Sequence, residues 1–322
     1  MKTILLAFEA DTLSADQVAQ VKETAPGDAS VVITRDSDEI QAMLDDIEVA
    51  AGWFPADLLP QASSLRWLQQ WSAGADWLLR HPKAAKADFV LTSTSGIHAI
   101  QITEHIFAFL LALARELPQA LEAQRHRRWI PQDEHNRLFE LARKTMLLIG
   151  VGAIGERTAQ VATALGMHVL GVRRDPTVGA RGVETMFGPD DLLDLLPQAD
   201  FVIVTVPLTE ETRGMIAERE LRAMKPRSFI VNVGRGGTIK EEALIEALRE
   251  GSIAGAGLDV FETEPLPSDS ALWGFDNVII TSHYAGITPH YHGRALAVFL
   301  ENLERYVAGK PLRNVVDKEL GY

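Results

Sequence analysis

Short apolar runs and segments of helical period alternate along nearly the whole chain. In the first third, the runs at 3–8, 31–34, 49–52, 67–71 and 89–92 are β-rich. The stretches between them, at 15–24, 38–44 and 56–59, have the pattern of helices or turns. This alternation predicts a parallel sheet with crossover helices. A long helix is predicted from about 100 to 117, closed by Pro118. The polar, irregular stretch that follows, up to Lys144, reads as a connector or arm rather than core. At Thr145 the rhythm restarts, with strands predicted at 146–149, 168–172, 201–206, 229–233, 256–260 and 278–281. Their runs of Val, Ile and Leu suit strands buried on both faces. Between the fourth and fifth of them, Thr238 and Glu241 have the spacing of a capping box, and Gly251 is placed to stop the helix. A last helix is predicted at about 292–307, near Gly309 and Pro311. No repeat of 20–50 residues and no low-complexity segment interrupts the pattern.

The pattern defines two α/β units. The second, at 100–288, is larger and more regular; the first comprises 1–99 and, if the last helix packs back on it, 289–322. A length of 322 residues accommodates two domains. At 47% hydrophobic and 23% charged, the composition is that of a globular protein, which disfavours disordered and fibrous architectures. With 31 Lys and Arg against 44 Asp and Glu, the net charge is −13. Such a surface repels phosphate backbones and anionic lipids, so neither nucleic acid nor a membrane is the expected partner. A local basic pocket for one small anion remains allowed. The chain has no Cys, which removes disulfides, thiolate metal sites and cysteine nucleophiles. Residues 106–114 are apolar but too few to span a bilayer, and the first apolar run is ended by Glu9 and Asp11 too early for a signal peptide. A cytoplasmic protein is the expectation.

The motif Gly150-Val151-Gly152-Ala153-Ile154-Gly155 follows a predicted strand and opens a helix predicted at 153–165. Its first glycine permits a tight turn, its second lets a pyrophosphate approach the backbone, and its third allows close helix–sheet packing. GxGxxG alone is weak; the strand before and the helix after strengthen it. A ribose-binding carboxylate is expected about 20 residues on. Instead Arg173 stands 18 residues after Gly155, followed by Arg174, with Asp175 the nearest acid. Two arginines suit a 2′-phosphate, favouring NADPH with NADH as the weaker alternative; an exposed Arg pair at a strand end is the bland reading. Further strand ends lead to Gly234-Arg235-Gly236-Gly237, to Asp259, Glu262 and Glu264, and to Ser282-His283. Open parallel sheets bind ligands outside the carboxyl ends of their strands, so an Arg, a carboxylate and a His can meet there. The Arg can clamp a substrate carboxylate, the His can pass a proton, and the acid can hold the imidazolium. His81, His126, His135 and His168 read as surface or strand-end residues; His98, His105, His290 and His292 border the domain junction and receive no role. No spacing suggests a metal site. Trp53, Phe54, Trp67 and Trp71 read as core, although Trp53 and Phe54, after a strand end, can instead line a substrate pocket.

These residues resemble the D-isomer-specific 2-hydroxyacid dehydrogenase family over nearly the whole chain. The marks are WSAGAD (71–76), TSGIHAIQITEH (94–105), GVGAIG (150–155), VPLTEETRGMI (206–216), NVGRGG (232–237), GLDVFETEPLP (257–267) and SHYAGIT (282–288). The resemblance implies an α/β protein of two doubly wound parallel-sheet domains, a Rossmann-type cofactor domain and a flavodoxin-like substrate domain. It implies that Arg235 binds the substrate carboxylate, that His283 is the acid/base and that Glu264 is its partner. Ala73 and Gly74 match the loop whose N–H groups hold the substrate carboxylate; Trp53, from its place after a strand end and not from the resemblance, is a further candidate substrate contact. Asp259 matches the residue that contacts the nicotinamide carboxamide, and Pro207 and Thr212 match the loop beside the adenosine. The cofactor set is completed by Ala153, Ile154, Val206, Val233, Gly234 and His283. The usual Thr-Pro-His reads Thr281-Ser282-His283 here, which changes a backbone preference and not the histidine chemistry. The Arg173-Arg174 pair, the stretch HRRWIPQ and the Gly-Tyr terminus resemble NADPH-linked glyoxylate/hydroxypyruvate reductases. That likeness implies reduction of small 2-ketoacids to (R)-2-hydroxyacids and a homodimer built largely from the cofactor domains, with 119–144 reaching across. The alternatives are a reductase of bulkier 2-ketoacids and a non-catalytic dinucleotide-sensing protein on the same fold.

Overall fold

Strand β1 (Thr3–Ala7) sends Ile4 and Leu6 into one apolar cluster and Leu5 and Ala7 into another. Successive strand residues point to opposite faces, so a run apolar at every position must be covered on both sides. In the computed structural model, which describes residues 3–135 and 137–321, β1 lies in a five-stranded sheet with β2 (Ser30–Ile33), β3 (Ile47–Gly52), β4 (Trp67–Gln70) and β5 (Val90–Thr92). All neighbours pair in parallel, in the order β2-β1-β3-β4-β5, which is the flavodoxin-like doubly wound order. One face is covered by the helix Tyr291–Val307, which buries Ala295, Leu296, Phe299 and Leu303 against Ile4, Leu6, Val49 and Trp67. Phe299 and Tyr306 both stack on the Trp67 ring, at 5.3 and 5.5 Å. Each fully buried aromatic contributes about 1.5–3 kcal/mol through burial. The polar groups buried with them are paired: Trp67 Nε1 donates to Thr92 Oγ1, which donates to Gln69 Oε1, the acceptor also of Asn302 Nδ2. The helix Ala15–Thr24 opens on a capping box made by Ser14 and Gln17, typically worth about 1 kcal/mol.

The described residues up to Ile97, together with those from Thr288 onward, form this unit; His98–Ile287 form the other. The second unit holds seven parallel strands: β6 (Thr145–Ile149), β7 (His168–Val172), β8 (Thr185–Phe187), β9 (Phe201–Val204), β10 (Phe229–Asn232), β11 (Gly255–Leu258) and β12 (Val278–Ile280). Their order is β12-β11-β10-β9-β6-β7-β8. The order reverses between β6 and β9, which is the Rossmann arrangement and puts the ligand crevice at the carboxyl ends there. Both sheets are of the doubly wound α/β class expected.

Several elements depart from the pattern read from the sequence. The helix predicted at 100–117 is two helices, Ala99–Ala114 and Leu117–Arg125, broken where Glu116 takes a left-handed φ of 50°. Pro118 begins the second helix instead of closing the first, because its missing N–H costs nothing in a first turn. Thr238 and Glu241 form no capping box. The helix Glu241–Glu250 starts after Lys240, Thr238 Oγ1 donates to the Arg235 carbonyl at 2.6 Å, and Glu241 N donates to Glu262 Oε1. Gly251 does stop the helix, with φ 70°. Strand β8 was not foreseen. The end of the polar 125–144 stretch is partly core: Leu141 is buried and Phe139 stacks on Phe229 at 5.4 Å. Trp53 is not core; it is 43% exposed, whereas Phe54, Trp67 and Trp71 are buried.

Candidate active site

The three glycines after β6 do three different things. Gly150 has φ 98°, a conformation that side chains resist, and a Cβ there would lie 2.8 Å from Val206 Cγ1. A Cβ on Gly155 would meet the Gly150 carbonyl oxygen at 2.4 Å, so only glycine lets the helix Ala153–Ala164 start this close to the turn. A Cβ on Gly152 would meet nothing within 4 Å, and no side chain caps the helix that follows. Backbone N–H groups from Gly152, Ala153 and Ile154 at a helix N-terminus, with open space above, make an anion cradle that fits a pyrophosphate.

Beyond β7 the arginines are held by their own surroundings. Arg173 Nη1 donates to the Val178 carbonyl at 3.2 Å, and Arg174 lies 3.6 Å from Glu211. Asp175 accepts from both the N–H and the hydroxyl of Thr177. Those hydrogen bonds, helped by the Arg173 charge, hold its carboxyl below the usual carboxylate range. After β9, Thr212 Oγ1 donates to the Pro207 carbonyl at 2.6 Å and accepts from Thr209 N, closing the 207–212 loop on itself.

The ends of β10, β11 and β12 form a connected assembly. Asn232, the one polar residue of β10, accepts from Gly234 N through Oδ1 and donates through Nδ2 to the Arg235 carbonyl. In the sequence it is marked by its place in an apolar run and as the first residue of the NVGRGG stretch. A Cβ on Gly234 would meet the Val206 carbonyl oxygen at 2.7 Å, and one on Gly236 would lie 1.9 Å from the Phe261 backbone. Arg235 is therefore fixed between two glycines that let its loop pass against the neighbouring strand ends, and its Nη1 donates to the Gly234 carbonyl at 2.8 Å. Val233, just before this loop, is buried. Phe261 N donates to Glu264 Oε1, and Glu264 Oε2 lies 2.7 Å from His283 Nδ1. A carboxylate accepts only, so Nδ1 carries the hydrogen and Nε2 is the nitrogen able to give or take a proton. His283 itself has φ 53°, a conformation that costs a residue other than glycine roughly 1–2 kcal/mol and needs support from its surroundings.

Asp259 provides that support. It is 1% exposed. Its carbonyl accepts from His283 N, its Oδ1 from Thr281 Oγ1 and Tyr284 N, and its Oδ2 from Ala285 N. His105 approaches the same group from the helix Ala99–Ala114; burial pushes its imidazole below the ordinary value, opposed by the Asp259 charge. Sequence reasoning gave His105 no role.

Ala73, Gly74 and Trp53 belong to the five-stranded unit. Gln70 Nε2 and Ser72 Oγ donate to the Gly74 carbonyl, fixing the loop after β4. Trp53 meets Phe8 edge-on at 5.4 Å, with the Arg35 guanidinium over its ring. Tyr322 of the Gly-Tyr terminus lies outside the described residues. Among the described residues, no group of three or more His, Asp or Glu is placed to hold a metal ion, and no helix is long and apolar enough to cross a membrane.

A Rossmann sheet with an open glycine cradle, and an Arg and a Glu-paired His at neighbouring strand ends, defines a dinucleotide-dependent dehydrogenase. Comparison with known proteins gives the family. Residues 107–285 match the model of the D-isomer specific 2-hydroxyacid dehydrogenase NAD binding domain. The glyoxylate reductase of Korarchaeum cryptofilum is 34% identical over 306 residues, 93% of this chain and 89% of that protein. A D-isomer specific 2-hydroxyacid dehydrogenase from Xanthobacter autotrophicus, solved with NADPH and MES, has a TM-score of 0.85 at 30% identity, covering 100% of this chain and 99% of that one. The NADPH-dependent glyoxylate/hydroxypyruvate reductase of Sinorhizobium meliloti, solved with NADP and sulfate, has a TM-score of 0.84 at 25% identity, covering all of both chains. The chain belongs to the D-isomer specific 2-hydroxyacid dehydrogenase family and is an oxidoreductase.

Proposed function

We propose that the protein reduces small 2-ketoacids, such as glyoxylate and hydroxypyruvate, to (R)-2-hydroxyacids with NADPH, reversibly. The observation that carries this reading is the 2.7 Å pairing of His283 Nδ1 with Glu264, at strand ends next to the Arg235 loop. A nicotinamide cofactor, when bound, supplies the hydride. Protonated His283 gives its Nε2 proton to the carbonyl oxygen, while Glu264 keeps Nδ1–H partnered and stabilises the cation before transfer. Arg235 clamps the substrate carboxylate through its planar fork. Ala73 and Gly74 are proposed as substrate-binding residues through their backbone N–H groups, with Trp53 as a further one. Gly150, Gly152, Ala153, Ile154 and Gly155 would hold the pyrophosphate. Val206, Pro207, Thr212, Val233, Gly234 and Asp259 would complete the cofactor site.

The preference for NADPH rests on Arg173 and Arg174, which bring two cations to the end of β7 where a ribose-binding acid would otherwise stand. The hydrogen bonds that tie Asp175 to Thr177 support this reading, because they engage the nearest acid elsewhere. The solved relatives holding NADPH or NADP support the same choice. A kcat/KM panel across glyoxylate, hydroxypyruvate, pyruvate and phenylpyruvate tests the substrate class. Glyoxylate and hydroxypyruvate are expected to lead; phenylpyruvate in front would replace the reading with a reductase of bulkier 2-ketoacids.

A homodimer through the cofactor unit and a cytoplasmic location are part of the same proposal. Supporting the dimer, Leu111, Leu117 and Leu121 are exposed on consecutive helices and Trp129 beyond them is 90% exposed. Sedimentation at micromolar concentration is expected to give twice the chain mass, and a monomer there would remove the dimer from the account.

A further inference from the structure

We propose that His105 is a positioning residue for His283, acting through Thr281 and Asp259; the idea rests on the function proposed above. The Thr281 hydroxyl has a single hydrogen. Its oxygen lies 2.6 Å from Asp259 Oδ1, a carboxylate oxygen that can only accept, so the hydrogen goes there. The same oxygen lies 3.0 Å from His105 Nε2 and must accept from it, so Nε2 carries a hydrogen. Donors thus run in one direction, from the imidazole to the threonine hydroxyl to the carboxylate.

That carboxylate organises the loop of the proton donor. Asp259 accepts the N–H of His283 through its carbonyl and those of Tyr284 and Ala285 through its two carboxylate oxygens. His283 adopts its left-handed φ of 53° within this set of bonds. His105 is held rigidly at the start of the relay. Its ring meets Phe109 edge-on at 4.6 Å and Tyr284, the residue after His283, edge-on at 5.3 Å. With Nε2 lying 3.8 Å from Asp259 Oδ1, its main polar path to the carboxylate is Thr281. An apolar residue in place of His105 leaves the Thr281 hydroxyl without its donor and free to leave Asp259, so the His283 loop loses definition while substrate binding by Arg235 stays intact.

Two measurements test this. In long-range 1H–15N spectra of the chain without cofactor, His105, assigned by its loss in His105→Gln, is expected as the Nε2–H tautomer at neutral pH; the Nδ1–H tautomer overturns the relay. In steady-state reduction of glyoxylate, His105→Leu is expected to lower kcat about 3–10-fold, the value of one hydrogen bond, with KM nearly unchanged. Thr281→Val is expected to lose at least as much, and His105→Leu added to Thr281→Val nothing further. His105→Gln, whose amide nitrogen reaches the Nε2 position, is expected within twofold of wild type. Losses that multiply in the double variant, or a Gln variant no better than Leu, overturn the proposal. Should His105→Leu fail to fold, His105→Gln against His105→Asn decides, because Asn is too short to reach Thr281; equal kcat for the two overturns it. A wild type that turns over no 2-ketoacid overturns the function beneath, whereas an active wild type with multiplying losses overturns only the role of His105.

Discussion

His283→Ala is expected to lower kcat for 2-ketoacid reduction by about 10²–10⁴-fold, the usual contribution of a positioned general acid. The carbonyl oxygen must gain a proton as the keto carbon gains a hydride, and alanine leaves only water to supply it. Cofactor affinity is expected to fall far less than kcat, because His283 is one contact among many and the glycine cradle after β6 is untouched. Glu264→Gln separates charge from shape. The amide keeps the shape but has one acceptor oxygen where the carboxylate uses two, so it can accept from His283 Nδ1 or from Phe261 N and not from each through its own oxygen, and it cannot stabilise an imidazolium as a carboxylate does. Its kcat is therefore expected to lie between those of wild type and His283→Ala. Stopped-flow measurement of a single turnover, started from preformed enzyme–NADPH, reads the chemical step directly. A His283→Ala enzyme within threefold of wild type there would remove His283 from the role of acid.

Arg235→Lys is expected to raise KM for glyoxylate about 10–100-fold, corresponding to the loss of one charge-assisted hydrogen bond of about 1.5–3 kcal/mol. The change keeps the charge and loses the fork. The guanidinium commits Nη1 to the Gly234 carbonyl at 2.8 Å, which fixes the plane of its fork. An ammonium on a flexible stem cannot serve both that carbonyl and a substrate carboxylate in one geometry. NADPH affinity, followed by quenching of protein fluorescence, is expected to be nearly unchanged. An equal loss of NADPH affinity would make Arg235 a cofactor residue.

The strand framework was legible because the strands are buried on both faces, so their apolar runs have few interruptions. Strand β8 escaped notice because Thr185–Phe187 is three residues long and lies behind Arg181 and Glu184. The break between the helices Ala99–Ala114 and Leu117–Arg125 has no glycine, and Pro118 two residues later looked like a stop signal. Thr238 misled for a related reason. Its capping spacing was real, but its hydroxyl is drawn to the Arg235 carbonyl, a demand visible only in three dimensions. The candidate site was legible where each residue follows a strand end, as Arg235, Glu264 and His283 do. His105 was not, because a lone histidine on an apolar helix resembles a packed core residue and its hydroxyl partner is 176 positions away. Trp53 looked like core because large aromatics are usually buried, whereas here the ring caps Phe8 at the surface.

Cofactor choice with a small 2-ketoacid depends on both the arginine pair after β7 and the acid/base at β12. The 2′-phosphate of NADPH is a dianion near neutral pH, and each charge-assisted bond it gains from Arg173 or Arg174 contributes about 1.5–3 kcal/mol, one to two decades of affinity. NADH offers only ribose hydroxyls, for which arginine is a poorer partner than a carboxylate. Both side chains lie near the surface, so salt weakens the preference. The measurement is kcat/KM of the wild-type enzyme for NADPH and for NADH at low ionic strength with saturating glyoxylate. NADPH is expected ahead by at least one decade, with D-2-hydroxyacid oxidation in the reverse direction also favouring NADP. Parity, an NADH preference, or no turnover with either cofactor would contradict that expectation.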